Sequence, residues 1–226
     1  MEHTMSWLVP FVILVVVFCI IAIVVQKQLA KERAGKLRRV ANSQGWQFIP
    51  EDDSYATRWD GKPFTGNGKA RNVVHGQHRG RYFEAFEYSY TTSSYNGTTS
   101  TTTTHRFSIW TISLPSSVPN FAVGEEGLFG GRVAEAFGYE RVQTEDVQFN
   151  DTFKITSDDH QFGQRLLTPD VIDWLKQVGP QPWRLTERTM IAYDKGPLEA
   201  GSLQPRLEWM CDLLDRFPAE VWSAKP

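Results

Sequence analysis

Two histidines three residues apart, His75 and His78, and the run Asp158-Asp159-His160 are the residue types best suited to chemistry in this 226-residue chain. On a helix, that histidine spacing would place both imidazoles on one face, within reach of one metal ion. On a strand and turn the same spacing sends them to different faces. The surrounding residues are aromatic and β-branched, so a strand is expected and a shared ion is not. Asp158 to His160 could supply a carboxylate and an imidazole for general acid–base work. At a helix start, however, aspartates are accounted for by capping and by the positive end of the helix dipole.

The remaining candidates are weaker. Residues 61–70 are glycine-rich and contain Gly68-Lys69, but Pro63 and Ala70 stand where a Walker A loop needs Gly and Ser or Thr. Gly66-Asn67-Gly68 lacks its third glycine, because Arg71 takes that place. Glu51-Asp52-Asp53 has no EF-hand spacing and reads as a solvated turn. Cys211 falls on the apolar side of a helical pattern, as an unreactive core thiol does. No Gly-x-Ser-x-Gly elbow is present. The expectation is a chain with neither metal nor cofactor.

These residues must be positioned by two very different stretches. Residues 7–25 are an unbroken apolar run without charge, and 15 of the 19 are Leu, Ile, Val or Phe. As a helix it covers roughly 28 Å, close to a hydrocarbon core. Those 15 side chains favour insertion by about 4–9 kcal/mol. Pro10 sits in the first turn, where a missing N–H costs least, and Trp7 at interface depth. Residues 1–6 lack the basic n-region of a signal peptide, and no small-x-small cleavage site follows. An uncleaved anchor is expected.

Lys27, Lys31, Arg33, Lys36, Arg38 and Arg39, less Glu32, put a charge of +5 on the C-terminal flank; the N-terminal flank has no Lys or Arg. The positive-inside rule then places residues 1–6 outside, the span at 7–25, a basic helical stalk at 26–43, and a soluble domain at 44–220 in the cytoplasm. The same six cations could contact anionic lipid or serve only as a topology signal. Cys19 and Cys211 lie in different regions and cannot pair, in keeping with a reducing compartment. The sequons at Asn96 and Asn150 matter only outside the cytoplasm.

From residue 40 onward there are 18 Lys and Arg against 24 Asp and Glu, a net −6, which argues against nucleic acid. Strands are expected at 72–77, 82–90 and 106–114, the first two joined by the turn His78-Arg79-Gly80-Arg81. Tyr82, Phe86, Tyr88 and Tyr90 share one face of the second strand, with Phe83 and Ala85 on the other, as in a strand covered on both sides. Thr and Ser dominate from Thr91 to Thr104, with Asn96-Gly97 in the middle, which predicts a long hairpin with a polar tip. A strand at 147–155, a helix capped by Ser157-Asp158 and ending by Leu167, and a helix from Thr168-Pro169-Asp170 to about Val178 follow. Residues 183–185 and 189–193 read as a hairpin. Leu203, Leu207, Met210 and Leu214 mark a closing helix that stops at Pro218. Strands then helices then strands give an α+β fold with antiparallel sheet.

Several landmarks occur together: Gly45-Trp46, Pro63-Phe64, Gly76 with Gly80-Arg81, Phe86-x-Tyr88-x-Tyr90, Leu114-Pro115 with Pro119, Phe149-Asn150 with Phe153, and Leu167-Thr168-Pro169. Across most of residues 36–218 the layout resembles a group of uncharacterised bacterial membrane-anchored proteins, common in actinobacteria, that share a domain of unknown function. The resemblance implies an anchor plus a domain at a bacterial inner membrane. It carries no catalytic or binding residue.

Two functional readings remain. One is a membrane-tethered binding module that engages the bilayer and a protein partner at the inner membrane face. The other is a membrane-bound enzyme with a nonstandard site near His75 and His78, or at Asp158 to His160, which requires those side chains to converge. The first is favoured because no motif supports the second.

Overall fold

A single helix, α1, runs from Leu8 to Ser43 in the computed structural model, which describes residues 8–124 and 140–223. The expected roles of residues 1–6 and Trp7 lie outside the described residues. From Phe11 to Val25 the large apolar side chains of α1 are exposed, from 42% at Val15 to 70% at Phe18. The helix is long and apolar enough to cross a membrane. Its far end has another environment: Leu37 and Ala41 are fully buried. The stalk residues therefore belong to the same helix as the apolar run.

Gly45, at φ 71°, reverses the chain. Glycine adopts that left-handed conformation without strain. The Trp46 N–H then closes on the Ala41 carbonyl at 2.8 Å. Strand β1 (Gln47–Glu51) runs back along the helix, with the Arg38 guanidinium 5.2 Å from the centre of the Phe48 ring. Antiparallel pairing continues through β2 (Lys69–His78), β3 (Arg81–Tyr95) and β4 (Ser100–Gly124).

Strand β4 is longer than expected and organises the sheet. Its first half pairs β3 on one side and β7 (Trp183–Lys195) on the other; its last residues, Phe121 to Gly124, pair β7 and β6 (Lys154–Ser157). Strand β5 (Glu140–Arg141) pairs the outer edge of β6. Pro115 and Pro119 do not end β4. They coincide with register shifts between Ser113 and Phe121, as expected of residues that cannot donate to a ladder. The expected hairpin at 183–193 is one continuous strand. Glu187, at φ 49°, sits opposite Val118 within the same irregular stretch. The extra residues lie on β4, between Ser113 and Phe121, so a bulged ladder stands where a turn is predicted.

The expected strand at 147–155 is instead helix α2 (Val147–Thr152) followed by β6. Local hydrogen bonding decides it: Asp146 accepts from the Phe149 N–H at 2.9 Å, and Asn150 holds Thr144 through three bonds. Helix α3 (His160–Leu166) is capped by Asp159, one residue beyond the expected Ser157-Asp158 cap. Helix α4 (Pro169–Val178) starts with the expected Thr168 cap and Pro169. Helix α5 (Ala200–Arg216) buries Leu203, Leu207, Met210 and Leu214 as the spacing predicts. An α+β fold with an antiparallel sheet and C-terminal helices results.

The two faces of the sheet are covered differently. The end of α1 and helices α2 to α5 pack on Val74, Phe83, Ala85, Trp110 and Ile112. Segment 52–66, with its short 3-10 turn at Asp53–Thr57, packs Tyr55, Ala56 and Phe64 on Phe86, Tyr88, Ile109 and Ile191 of the other face. Close approach is enforced by glycine: a Cβ on Gly76 would lie 2.6 Å from the Trp46 ring. The expectation of a second strand covered on both sides holds, with Phe83 and Ala85 on one core and Phe86 and Tyr88 on the other.

Tyr193 on this second face is 3% exposed, and its hydroxyl has no hydrogen-bond partner among the described residues. Burial pushes its pKa up to about 12, against a smaller downward pull from Arg184. A tyrosine whose folded pKa lies above its unfolded value of about 10 withdraws stability as pH rises between the two. Tyr193→Phe is therefore expected to match or exceed the parent stability at pH 7, by up to about 1 kcal/mol. In chemical denaturation its advantage should grow by roughly 2–3 kcal/mol from pH 10 to pH 12. Parallel alkaline unfolding curves for the two proteins would contradict this.

Candidate functional site

The side chains that the sequence singles out do not share a site. His75 and His78 leave β2 on opposite faces, as strand geometry dictates. His75 Nδ1 lies 3.3 Å from the Tyr82 hydroxyl on the face covered by segment 52–66. His78 packs edge-on to Trp46 and places Nε2 3.1 Å from Glu208 Oε1 of α5. Asp158 accepts from the Asn120 amide at 2.8 Å, Asp159 caps α3, and His160 bonds Gln164 one turn along the same helix. Each residue is thus engaged locally, and none of these contacts links the two groups. No set of three His, Cys, Asp or Glu capable of holding a metal ion occurs among the described residues.

The other weak signals also resolve into structure. Asp52 caps the 3-10 turn through the Ser54 N–H, Asp53 accepts from the Ala70 N–H, and Glu51 pairs with Arg71. The glycine-rich loop lies over Tyr88, whose hydroxyl accepts from the Thr65 N–H at 2.9 Å. A Cβ on Gly68 would overlap that ring. Cys211 is buried, and burial pushes its thiol pKa up, away from the reactive thiolate.

A concave site does exist, at the β2–β3 turn. Arg79 and Gly80 both have positive φ, 50° and 76°, and join the paired residues His78 and Arg81. This is the type I′ arrangement that suits the twist of a hairpin. Arginine at its first central position is unusual, because a Cβ disfavours that backbone. What faces it is a row of acids one and two turns apart on α5: Glu208, Asp212 and Asp215. Arg79 Nη1 lies 3.1 Å from Glu208 and 2.6 Å from Asp212, and Nη2 bonds Asp215. Arg81 bonds the other Asp215 oxygen. The hydrogen bonds to Asp212 and Glu208 and the charge of Asp215 raise the Arg79 pKa further, so its charge is permanent.

Beside this network opens a cleft of about 590 Å³, with walls at Leu114, Pro115, Leu214 and Trp222 and a rim of Arg79, Arg81, Tyr82 and Asp215. The irregular Ser113–Val118 stretch of β4 forms one wall. A bulge beside two prolines thus makes room for a concavity. Both Asp215 oxygens are turned towards guanidinium groups and away from any reacting atom. The lining includes Tyr82, Trp222, Arg79 and Arg81, of the side-chain types that dominate binding energy at protein interfaces. Such a rim offers guanidinium and aromatic contacts, and no paired nucleophile and base lines the cleft among the described residues.

A second charged cluster lies across Tyr82. Glu84 is buried and takes Arg58 Nη1 at 2.7 Å, while the Arg58 guanidinium stacks 3.8 Å over the Tyr55 ring. Burial depresses the Arg58 pKa, but the charge of Glu84 and its hydrogen bonds to Glu84 and Tyr55 more than offset this, and the net shift is upward. Burial, then Glu84, raises the Tyr82 pKa. Arg58 clamps segment 52–66 onto the sheet.

In the sequence Arg79 stands out only as part of a turn, and the acidic row not at all. The signal was present in Glu208, Asp212 and Asp215, whose spacing of four and three puts like charges on one helical face and requires a cationic neighbour.

The fold is similar to the crystal structure of the mycobacterial trehalose monomycolate transport factor A, TtfA, with a TM-score of 0.58. The two chains are 13% identical, and the match covers 82% of this chain and 96% of the other. At that identity the likeness is one of fold. A mycobacterial neighbour is consistent with the actinobacterial resemblance drawn from the sequence. No protein-family model and no curated protein matches the chain.

Exposed ion pairs contribute about 0–1 kcal/mol each and fade with salt, whereas the strain of a non-glycine left-handed residue does not. Arg79→Gly should therefore lower the melting temperature at low ionic strength and match or exceed the parent protein near 1 M salt. Equal destabilisation at both salt concentrations would show that the ion pairs do not hold the turn.

Proposed function

We propose that this chain is a membrane-tethered binding module that serves lipid transport at the inner face of a bacterial membrane. The observation that carries the reading is the continuity of α1: one helix whose exposed apolar half lies between Phe11 and Val25 and whose other end is buried beneath the sheet at Leu37 and Ala41. Side chains that apolar need a non-aqueous environment, and a bilayer supplies it over the right length. The positive collar favours an external N-terminus and a cytoplasmic sheet. The fold neighbour is a trehalose monomycolate transport factor; its cargo is not transferred to this chain, but a role in moving lipid fits a module fixed to the bilayer.

Within the collar, distance divides the labour. Counting about 1.5 Å per residue from Val25, Lys27 lies about 3 Å beyond the apolar span and Lys31 about 9 Å, within the headgroup layer and one Debye length. Lys36 and Arg39 lie about 17 and about 21 Å away. Arg33 is held by Glu199 at 2.8 Å, and Arg38 lies over Phe48. We assign lipid contact to Lys27 and Lys31, and to the remaining four a role in topology and in packing the stalk. The cleft by Arg79 lies at the opposite end of α5 from Glu199, far from the bilayer. It is the surface we assign to a protein partner.

Protease added to intact spheroplasts should leave residues 44–220 undigested, and lysis should expose them. Removing residues 8–25 should release the chain from membranes, and cells lacking the chain should export lipid to the envelope more slowly. Digestion in intact spheroplasts would overturn the orientation, and unchanged export would overturn the transport role.

A further inference from the structure

The Thr- and Ser-rich ribbon is directed back at the membrane that α1 enters. The direction follows from contacts at both ends of α5. Its N-terminal neighbour Glu199 pairs with Arg33 of α1, on the bilayer side, and Asp215 near its C-terminus pairs with Arg79 at the β2–β3 turn. That turn also adjoins the end of α1, where Trp46 packs against His78. The β2–β3 turn is thus the membrane-distal end. Strand β3 starts there and runs parallel to β1, which the Arg38–Phe48 contact sends back along α1.

The lengths suffice. From Glu199 to Asp215 the helix spans about 24 Å, and from Arg33 back to Val25 about 12 Å more, so the distal turn stands roughly 36 Å above the apolar span. From Arg81 to Tyr95, β3 extends about 46 Å, enough to return to the surface at any inclination to the helices below about 40°.

The chemistry of the ribbon suits that location. Ladder pairing with β2 ends at Ser89, and with β7 it begins at Phe107, so Thr91 to Tyr95 and Ser100 to Arg106 form a two-stranded ribbon with no further strand beside it among the described residues. Free edges of this kind are normally guarded by charge or proline, yet residues 91–104 contain neither. The tip satisfies its own backbone. Asn96 Oδ1 accepts from the Thr98 and Thr99 N–H groups, the Asn96 N–H donates to the Thr99 carbonyl, and the Tyr95 hydroxyl donates to the Gly97 carbonyl at 2.8 Å. A tip in bulk water gains little from this. In an interface where water is scarce, each such bond removes a desolvation cost. Tyr95 is 71% exposed. Tyrosine concentrates at the headgroup level of a bilayer. The outward edge N–H and C=O groups still need partners, which excludes the hydrocarbon core and sets the depth at the headgroups.

We propose that the tip of the β3–β4 ribbon docks on the uncharged, hydrogen-bonding part of the lipid headgroup layer, as a second point of membrane contact beside α1. This rests on the membrane-crossing reading of α1. Two contacts fix the tilt of the sheet and leave a space between helix and ribbon that opens directly onto lipid headgroups.

The test uses the full chain in vesicles of neutral phosphatidylcholine, with a photoreactive benzophenone amino acid in place of Phe18, Tyr95 or Tyr82 in turn. All three side chains are exposed, so the fold is retained. Lipid adducts are expected at Phe18 and Tyr95, with Tyr95 about tenfold above membrane-distal Tyr82 and unchanged in about 1 M salt. Adducts at Phe18, with Tyr95 no higher than Tyr82, would overturn the ribbon contact while leaving the anchor intact. Loss of the Tyr95 adduct in salt would overturn the uncharged chemistry. Absence of adducts at Phe18 would overturn the anchor and this inference together.

Discussion

The burial of Leu37 and Ala41 against the sheet, on the same unbroken helix as the apolar run, is the constraint on which the arrangement depends. If the helix ended at the membrane surface, the sheet would hang on a linker and its orientation would have no meaning. Because α1 enters the core, every position in the sheet acquires a height above Val25. Arg33 with Glu199, lower on the stalk, and Arg38 with Phe48, between the two buried residues, repeat the constraint. Both contacts are weak in themselves, since exposed pairs contribute little. Their role is registration, and apolar burial at Leu37, Ala41 and Trp46 supplies the stability.

The long β4 strand converts that fixed height into two working ends. In the proposed arrangement its first half carries the ribbon towards the bilayer, and its irregular middle, at Pro115 and Pro119, shapes the cleft at the other end. The strand pairs β3, β6 and β7 between Ser100 and Gly124. Serving three neighbours, it must bend, and its bulged, proline-bearing stretch between Ser113 and Phe121 is where it does so. The cleft therefore arises from sheet geometry, and the Arg79 network fixes its rim. The division we propose, a ribbon on lipid and a cleft for a partner, suits a module that couples a bilayer to another protein.

Much of this was legible in the sequence where one signal dominated. The apolar run, the stalk, the Thr168-Pro169 helix start and the α5 face each rest on strong periodicity or capping chemistry. The ribbon is legible too, although its turn is centred on Gly97-Thr98, with glycine first as in a II′ turn, and Asn96 flanks it. Sequence and structure part where local pattern and tertiary pairing disagree. Val147 to Thr152 alternates like a strand, but the Asp146 cap and the Asn150–Thr144 bonds make one short helical segment. Residues 183–193 look interrupted, yet β4 offers a continuous partner. The Arg79 site stayed hidden because its two halves lie far apart in the chain and only the fold brings Arg79 to Asp212.

The most direct test of a rigid coupling between bilayer and sheet is amide hydrogen exchange over residues 26–43 of the full chain in lipid nanodiscs. Slow exchange without a gap, from Lys27 through Gly35 to Val40, is the predicted result. Fast exchange confined to residues 27–36, with protected helix on either side, would mean a hinged tether and would contradict the account.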